Sequence, residues 1–131
     1  MTRRRILVSL LGLALAAASV AAFVAASAAG SAHAAKATRN LSANASGKLR
    51  FSVKTIRAPK GKVTLVMRNP RGSGIPHAVS VKGKGIDKEG RTVDPGGTSR
   101  VSATLKKGTY TFYCPVDGHE DGGMKGKLIV S

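Results

Sequence analysis

The segment FYCPVDGHEDGGMKG, residues 112–126, holds the only cysteine of the chain, Cys114, together with His119 and Met124. A thiol, an imidazole and a thioether thus recur at a spacing of Cys-x4-His-x4-Met. Beyond the first 34 residues only one other histidine exists, His77. His77, Cys114, His119 and Met124 together offer two nitrogens, one thiolate sulfur and one weak thioether sulfur. That is the donor set of a type 1 copper centre, with two His and one Cys in a plane and Met as a distant axial ligand. Thiolate favours Cu(I) and imidazole accepts both oxidation states, so a rigid compromise site lets the ion change charge with little movement. Zinc is the competing metal, because it also takes Cys and His, although Met is a poor fourth zinc ligand. Each residue also has a purely structural reading. Cys114 could be a small buried hydrophobe, each His a hydrogen-bonded core residue, and Met124 packing. Met67, in phase with Val63 and Leu65, is assigned to the core.

Strands must position these residues. Apolar side chains recur with period two at Leu49, Phe51 and Val53, at Val63, Leu65 and Met67, and at Val101, Ala103 and Leu105. The same period places His77 in phase with Val79 and Val81, and Cys114 in phase with Tyr110 and Phe112. Alternation of this kind predicts strands with one buried face. Both candidate donors are therefore expected to point inward at strand ends. Lys127 to Val130 closes the chain as a last strand. The turn signals APKGK, NPRGSG, KGKG, DPGG, KKG and DGG separate these runs. Regular short strands with such turns predict an all-β sandwich or barrel. Donation to the Cys114 sulfur is expected from the backbone N–H groups of Ala78 and Val116, which would raise a reduction potential.

The N-terminus reads separately. Arg3, Arg4 and Arg5 precede 25 residues without a charge, Ile6 to Gly30, and Ala32-His33-Ala34 has the small-x-small form of a cleavage site. Residues 1–34 are read as an export signal, with Arg3-Arg4 resembling a twin-arginine signal. The other reading is an uncleaved anchor, since 25 uncharged residues can span a bilayer. Residues 35–47, polar and small, are expected to be a linker, and residues 48–131 the domain. The protein would be exported, to a periplasm or to the outside of the cell. Loss of three arginines takes Lys plus Arg from 22 to 19 and the net charge from +16 to +13. One cysteine makes no internal disulfide, so an exported domain with one thiol needs a use for it. The positive charge should attract an acidic partner or an anionic membrane surface. Nucleic acid is not expected, because the basic residues are scattered and no aromatic platform accompanies them.

The stretches KVTLVMRNP, IPHAVSV and GTYTFYCPVDGHEDGGMKGKLIV resemble the cupredoxins, the plastocyanin/azurin family of small blue copper proteins. The resemblance runs from about Leu49 to Val130. It implies a Greek-key β-sandwich. It also implies one copper ion, with His77, Cys114 and His119 as equatorial ligands and Met124 as the axial one. Many members have Asn directly after the first His, bracing the ligand loop; this chain has Ala78, so the loop needs other support. The function implied is a one-electron carrier and not an enzyme, since four protein ligands leave no open position for substrate. In the family, electrons pass through the edge of the loop histidine, here His119. Ile75, Pro76, Pro115 and Val116 would form an apolar rim for transient docking of redox proteins, and the domain is expected to be a monomer. Asp117, Glu120 and Asp121 would give that face a mixed charge. Two other functions stay open: copper storage or delivery, and binding by a metal-free β-sandwich.

Overall fold

The computed structural model describes residues 35–131. The expected export signal and its cleavage point lie outside the described residues. The strands are β1 (Ala35–Ser42), β2 (Thr55–Ala58), β3 (Gly61–Arg68), β4 (Ser80–Gly83), β5 (Ile86–Glu89), β6 (Thr98–Leu105), β7 (Gly108–Tyr113) and β8 (Lys125–Val130). One 3-10 turn, Arg71–Ser73, lies between β3 and β4. The strands form two mixed sheets, ordered β1-β3-β6 and β2-β8-β7-β4-β5. Sequence neighbours such as β2 and β3, or β6 and β7, sit in different sheets, which is the Greek-key habit expected.

Strict alternation builds the middle of the sandwich. β3 buries Val63, Leu65 and Met67, and β6 buries Ser99, Val101, Ala103 and Leu105. Across from them stand Ile56, Tyr110, Phe112, Leu128 and Val130 from the five-stranded sheet, in one continuous core. Each large apolar side chain so buried stabilises the fold by roughly 1.5–3 kcal/mol. Among the described residues, the core cluster lies within residues 41–130.

Register defines two poles. Ala35 pairs with Gly61, Gly61 with Leu105, and Gly108 with Val130, at one end. Arg68 pairs with Thr98, and Tyr113 with both Ser80 and Lys125, at the other. The short connections β2–β3 and β6–β7 hold the first group together. We call it the entry pole, because β1 begins there. The other is the site pole. Eight residues of β3 put the poles about 25 Å apart.

Three sequence expectations need correction, and one strand was missed. Residues 35–47 are no linker: Ala35–Ser42 is β1, paired in parallel with β3, and Ala37, Leu41 and Ala43 are buried. The period was masked by Arg39. It shares the inward phase, but its guanidinium Nε reaches out to donate to the Arg57 carbonyl at 2.7 Å. Leu49–Val53 is no strand. Phe51 is buried through a single bridge to Ala43, while Val53 is exposed, and β2 starts only at Thr55. The residues after His77 do not alternate either. Ala78, Val79, Ser80 and Val81 are all buried, because the chain at Gly90 and Ser99 covers their second face. Finally, β5 escaped notice because IDKE is a charged, exposed edge strand with no apolar period.

Candidate metal centre

The loops of the site pole bring His77, Cys114 and His119 together. One donor atom from each lies within 4.8 Å of the others. Cys114 Sγ is 3.5 Å from His119 Nδ1 and 3.9 Å from His77 Nδ1. The imidazole centroids are 5.0 Å apart with planes at 57°. Both rings thus present the same nitrogen to the sulfur from different directions. His77 and Cys114 are fully buried, and His119 is half-buried.

Backbone ladders fix this arrangement. Cys114 follows β7 directly, and its N–H donates to the Met124 carbonyl at 3.0 Å, extending the β7–β8 ladder past both strands. The Met124 N–H in turn donates to the His119 carbonyl at 3.0 Å. Met124, fully buried, is therefore tied to both neighbours in the sequence motif. Within the loop, His119 N–H bonds to the Val116 carbonyl and Gly122 N–H to the Gly118 carbonyl, both at 2.9 Å. Gly118 at φ 74° and Gly123 at φ 103° supply left-handed turns that a side chain would strain. His77 is held from the other side by a two-way bridge with Val93, at 3.1 and 2.9 Å.

The support missing at Ala78 comes from Asn69, which sequence reasoning passed over as a turn residue before Pro70. Asn69 is fully buried. Its Nδ2 donates to the carbonyls of Ile75 at 2.9 Å and Val93 at 3.0 Å, and its Oδ1 accepts from Ser73 Oγ at 2.6 Å. Its backbone bonds to Gly96 and Gly97. One side chain thus ties the segment leading into His77 to the segment that pairs with it. An Asn between the alternating run ending at Met67 and Pro70 was the only signal available in sequence.

Electrostatics favour metal loading. The imidazole of His77 is pushed down to about 4, first by burial and then by repulsion from His119, so it is neutral and able to bind a cation at pH 7. Burial pushes the Cys114 thiol up, while the N–H groups of Ala78 and Val116 oppose that by bonding to its sulfur. The Ala78 nitrogen lies 3.4 Å from Sγ. The expected Ala78 donor is therefore in place, and the Val116 amide acts on the same sulfur electrostatically. No carboxylate joins the three-residue cluster among the described residues. The donor set of two imidazoles, a buried thiol and a neighbouring Met suits one type 1 copper ion, and it lacks the fourth N, O or thiolate ligand of structural zinc sites.

The acids of this basic chain gather beside the cluster. Glu89, Asp117, Glu120 and Asp121 line one depression with Tyr113 and Cys114. Glu120 is engaged: Lys82 Nζ sits 2.7 Å from both of its carboxylate oxygens and 4.3 Å from the Tyr113 ring centroid. Tyr113 Oη donates to Asp87 at 2.7 Å, and burial with that bond pushes its own ionisation up, so it stays protonated.

Two outcomes are expected. Asn69→Ala removes one donor from each of two carbonyls, leaving Val93 with the His77 N–H and Ile75 with Ser73 Oγ, and should lower stability by about 1–2 kcal/mol in urea titrations; a loss below half that would show that the remaining partners suffice. The folded His77 pKa lies below the unfolded value of 6.5. Its contribution to stability is therefore complete above pH 6.5 and disappears as pH falls towards 4. Metal-free protein should lose about 2 kcal/mol between pH 7 and 4.5 on this account. His77→Gln should lack that part of the pH dependence.

Comparison with known proteins places this geometry. Residues 14–130 match the model of the cupredoxin-like domain. No curated protein sequence matches the chain significantly. Among solved structures, auracyanin B superposes with a TM-score of 0.64 at 21% identity, over 76% of this chain and 91% of its own. Dithionite-reduced auracyanin from Roseiflexus castenholzii gives 0.61 at 20%, over 76% and 99%. Auracyanin A from Chloroflexus aurantiacus, a blue copper protein, gives 0.62 at 22%, over 74% and 100%. With a family match covering most of its length and a sandwich carrying the His-Cys-His-Met cluster at one pole, the chain belongs to the cupredoxin-like family.

Proposed function

We propose that this domain carries single electrons between redox partners through one type 1 copper ion held by His77, Cys114, His119 and Met124. The observation that carries the reading is the convergence of one buried thiol and two imidazole Nδ1 atoms with no carboxylate among them. When bound, the copper supplies the Cu(I)/Cu(II) couple. The chain's own residues do the rest. Cys114, fully buried, keeps water from the sulfur. The amides of Ala78 and Val116 draw charge from that sulfur and so favour the reduced state. The Asn69 hub and the Cys114–Met124–His119 ladder hold the donors at fixed separations. Little structure then has to move when the charge changes.

Electrons would enter and leave at His119, the one half-buried donor among the three. Ile75, Pro115 and Val116 beside it are partly buried and Pro76 is exposed, a rim suited to brief docking. Four protein donors leave no position for substrate, so the domain acts as a carrier and not as an enzyme. With residues 1–34 as an export signal, it works outside the cytoplasm. Burial of Cys114 and His77 favours retention of copper over its delivery, because a chelator cannot reach either donor in the folded state.

The deciding experiment adds one equivalent of Cu(II) to residues 35–131 and records the visible spectrum. An intense blue band, lost on reduction and in Cys114→Ser, is expected; a colourless product would overturn the copper reading. In the same sample, Cu(I) should pass to an excess of chelator over hours, whereas transfer within seconds would favour delivery. The loop acids allow a second test. Glu120 is paired with Lys82, so Asp117 and Asp121 are the exposed unpaired charges beside His119. Asp117→Asn/Asp121→Asn should speed oxidation by hexacyanoferrate(III) and slow oxidation by a cationic cobalt complex, each by a few fold at low salt. Unchanged rates with both oxidants would leave these acids as ordinary solvated residues.

A further inference from the structure

We infer that the entry pole is a docking surface for an anionic lipid bilayer, and that it holds the domain with its metal centre facing away from the membrane. This goes beyond the electron-carrier reading and rests on it only in naming which pole must stay open to redox partners.

The observation is a separation of charge along the sandwich. The three turns at the entry pole carry Lys60, Lys84, Lys106 and Lys107, and none of the six acids of the chain. Lys36 and Lys62 pair with each other in β1 and β3, one residue from the same pole, and the one acid equally near, Asp87 in β5, accepts a hydrogen bond from Tyr113 Oη. All six lysines are exposed. The one ion pair among the described residues is Lys82–Glu120, so none of the six is neutralised by a carboxylate. At the site pole the acids line the depression beside Cys114 instead. With about 25 Å between the poles and a Debye length of roughly 8–10 Å, an approaching surface meets lysines alone at the entry pole and both signs at the site pole, where Arg68, Arg71, Arg91 and Lys125 stand among the acids.

The lysines are also arranged, not merely present. Lys84, Lys106 and Lys107 rim a depression whose floor includes Ile86, Thr104 and Tyr110. Lys84 is the only described residue other than glycine with positive φ, at 50°, between Gly83 at 135° and Gly85 at 77°. Its side chain lies across Gly108, where an added Cβ would overlap Lys84 Cε. The β4–β5 turn thus adopts a costly left-handed conformation while placing an ammonium beside two others of the same sign. An array of negative headgroups relieves that repulsion, and ammonium groups on flexible stems suit such a field because they need no fixed geometry.

Chain connectivity favours a bilayer over an acidic protein as the occupant. The segment preceding β1 includes 25 uncharged residues, Ile6 to Gly30, and it joins the domain at Ala35, in register with Gly61 at this pole. If that segment stays as an uncleaved anchor, it would hold this pole next to the lipid surface. Docked there, the domain would hold His119 about 25 Å from the headgroups, open to a second protein.

The test uses residues 35–131, which contain the whole core, in cosedimentation with phosphatidylcholine vesicles with or without 30% phosphatidylglycerol in 0.1 M salt. Binding should require phosphatidylglycerol. Lys84→Gln/Lys106→Gln/Lys107→Gln should weaken it at least about tenfold. Lys48→Gln/Lys54→Gln/Lys127→Gln removes the same charge from the site-pole side and should weaken it less than about threefold. Should Lys84 prove necessary for folding, Lys106→Gln/Lys107→Gln gives the same comparison. Equal weakening by both sets, no preference for anionic vesicles, or displacement by inorganic phosphate at matched ionic strength would each overturn the proposal. None of these lysines is a metal donor, so the blue band checks the copper reading separately in every variant.

Discussion

A thiol and two imidazoles must be kept within 4.8 Å of one another at the edge of an apolar core. Left to themselves these groups would take water as a partner, and burial of polar groups without good hydrogen bonds is costly. Here the sulfur is met by backbone amides, and one nitrogen of His77, Nε2, is buried with no hydrogen-bond partner. The arrangement persists because the sandwich below it over-determines the positions of the three loops. Everything else in the molecule can be understood as scaffolding for that cluster or as a surface that directs where it is presented.

The scaffold works by continuing its own ladders into the loops. Cys114 bonds to Met124 as though β7 and β8 had one more pair, and His77 bonds to Val93 as an isolated bridge beyond β4. A donor held by ladder hydrogen bonds moves only if the sheet moves. Asn69 adds a third tie from the other sheet, bonding to Ile75 and Val93 on either side of His77 in sequence. The brace absent at Ala78 has thus been replaced from a distant strand end. The physical requirement, a buried amide joining two loop backbones, is met from a different position in the chain.

Charge follows the same polarity as structure. Carboxylates line a depression beside Cys114, lysines occupy the opposite turns, and the one ion pair among the described residues, Lys82–Glu120, lies beside the cluster. Separation of this kind costs some stability through repulsion among like charges. It orients the whole domain in an external field.

Period-two alternation by itself determined β3, β6, β7 and β8, because those strands have one face in the core and one in water. The scarcity of sulfur and imidazole determined the candidate donors, because a chain with one Cys and two histidines beyond residue 34 has few other ways to form a soft metal site. Tertiary structure decided the rest. β1 was hidden because Arg39 occupies an inward position and escapes to bond Arg57, a contact between strands of different sheets. β5 was hidden because an edge strand needs no apolar face. The burial of both faces at Ala78–Val81 and the role of Asn69 depend on which distant segments cover them. The division of the charged residues between the poles likewise depends on the register of strands, which no local pattern encodes. Local periodicity reports what a residue's neighbours in the chain require, and only the packed fold reports what its neighbours in space supply.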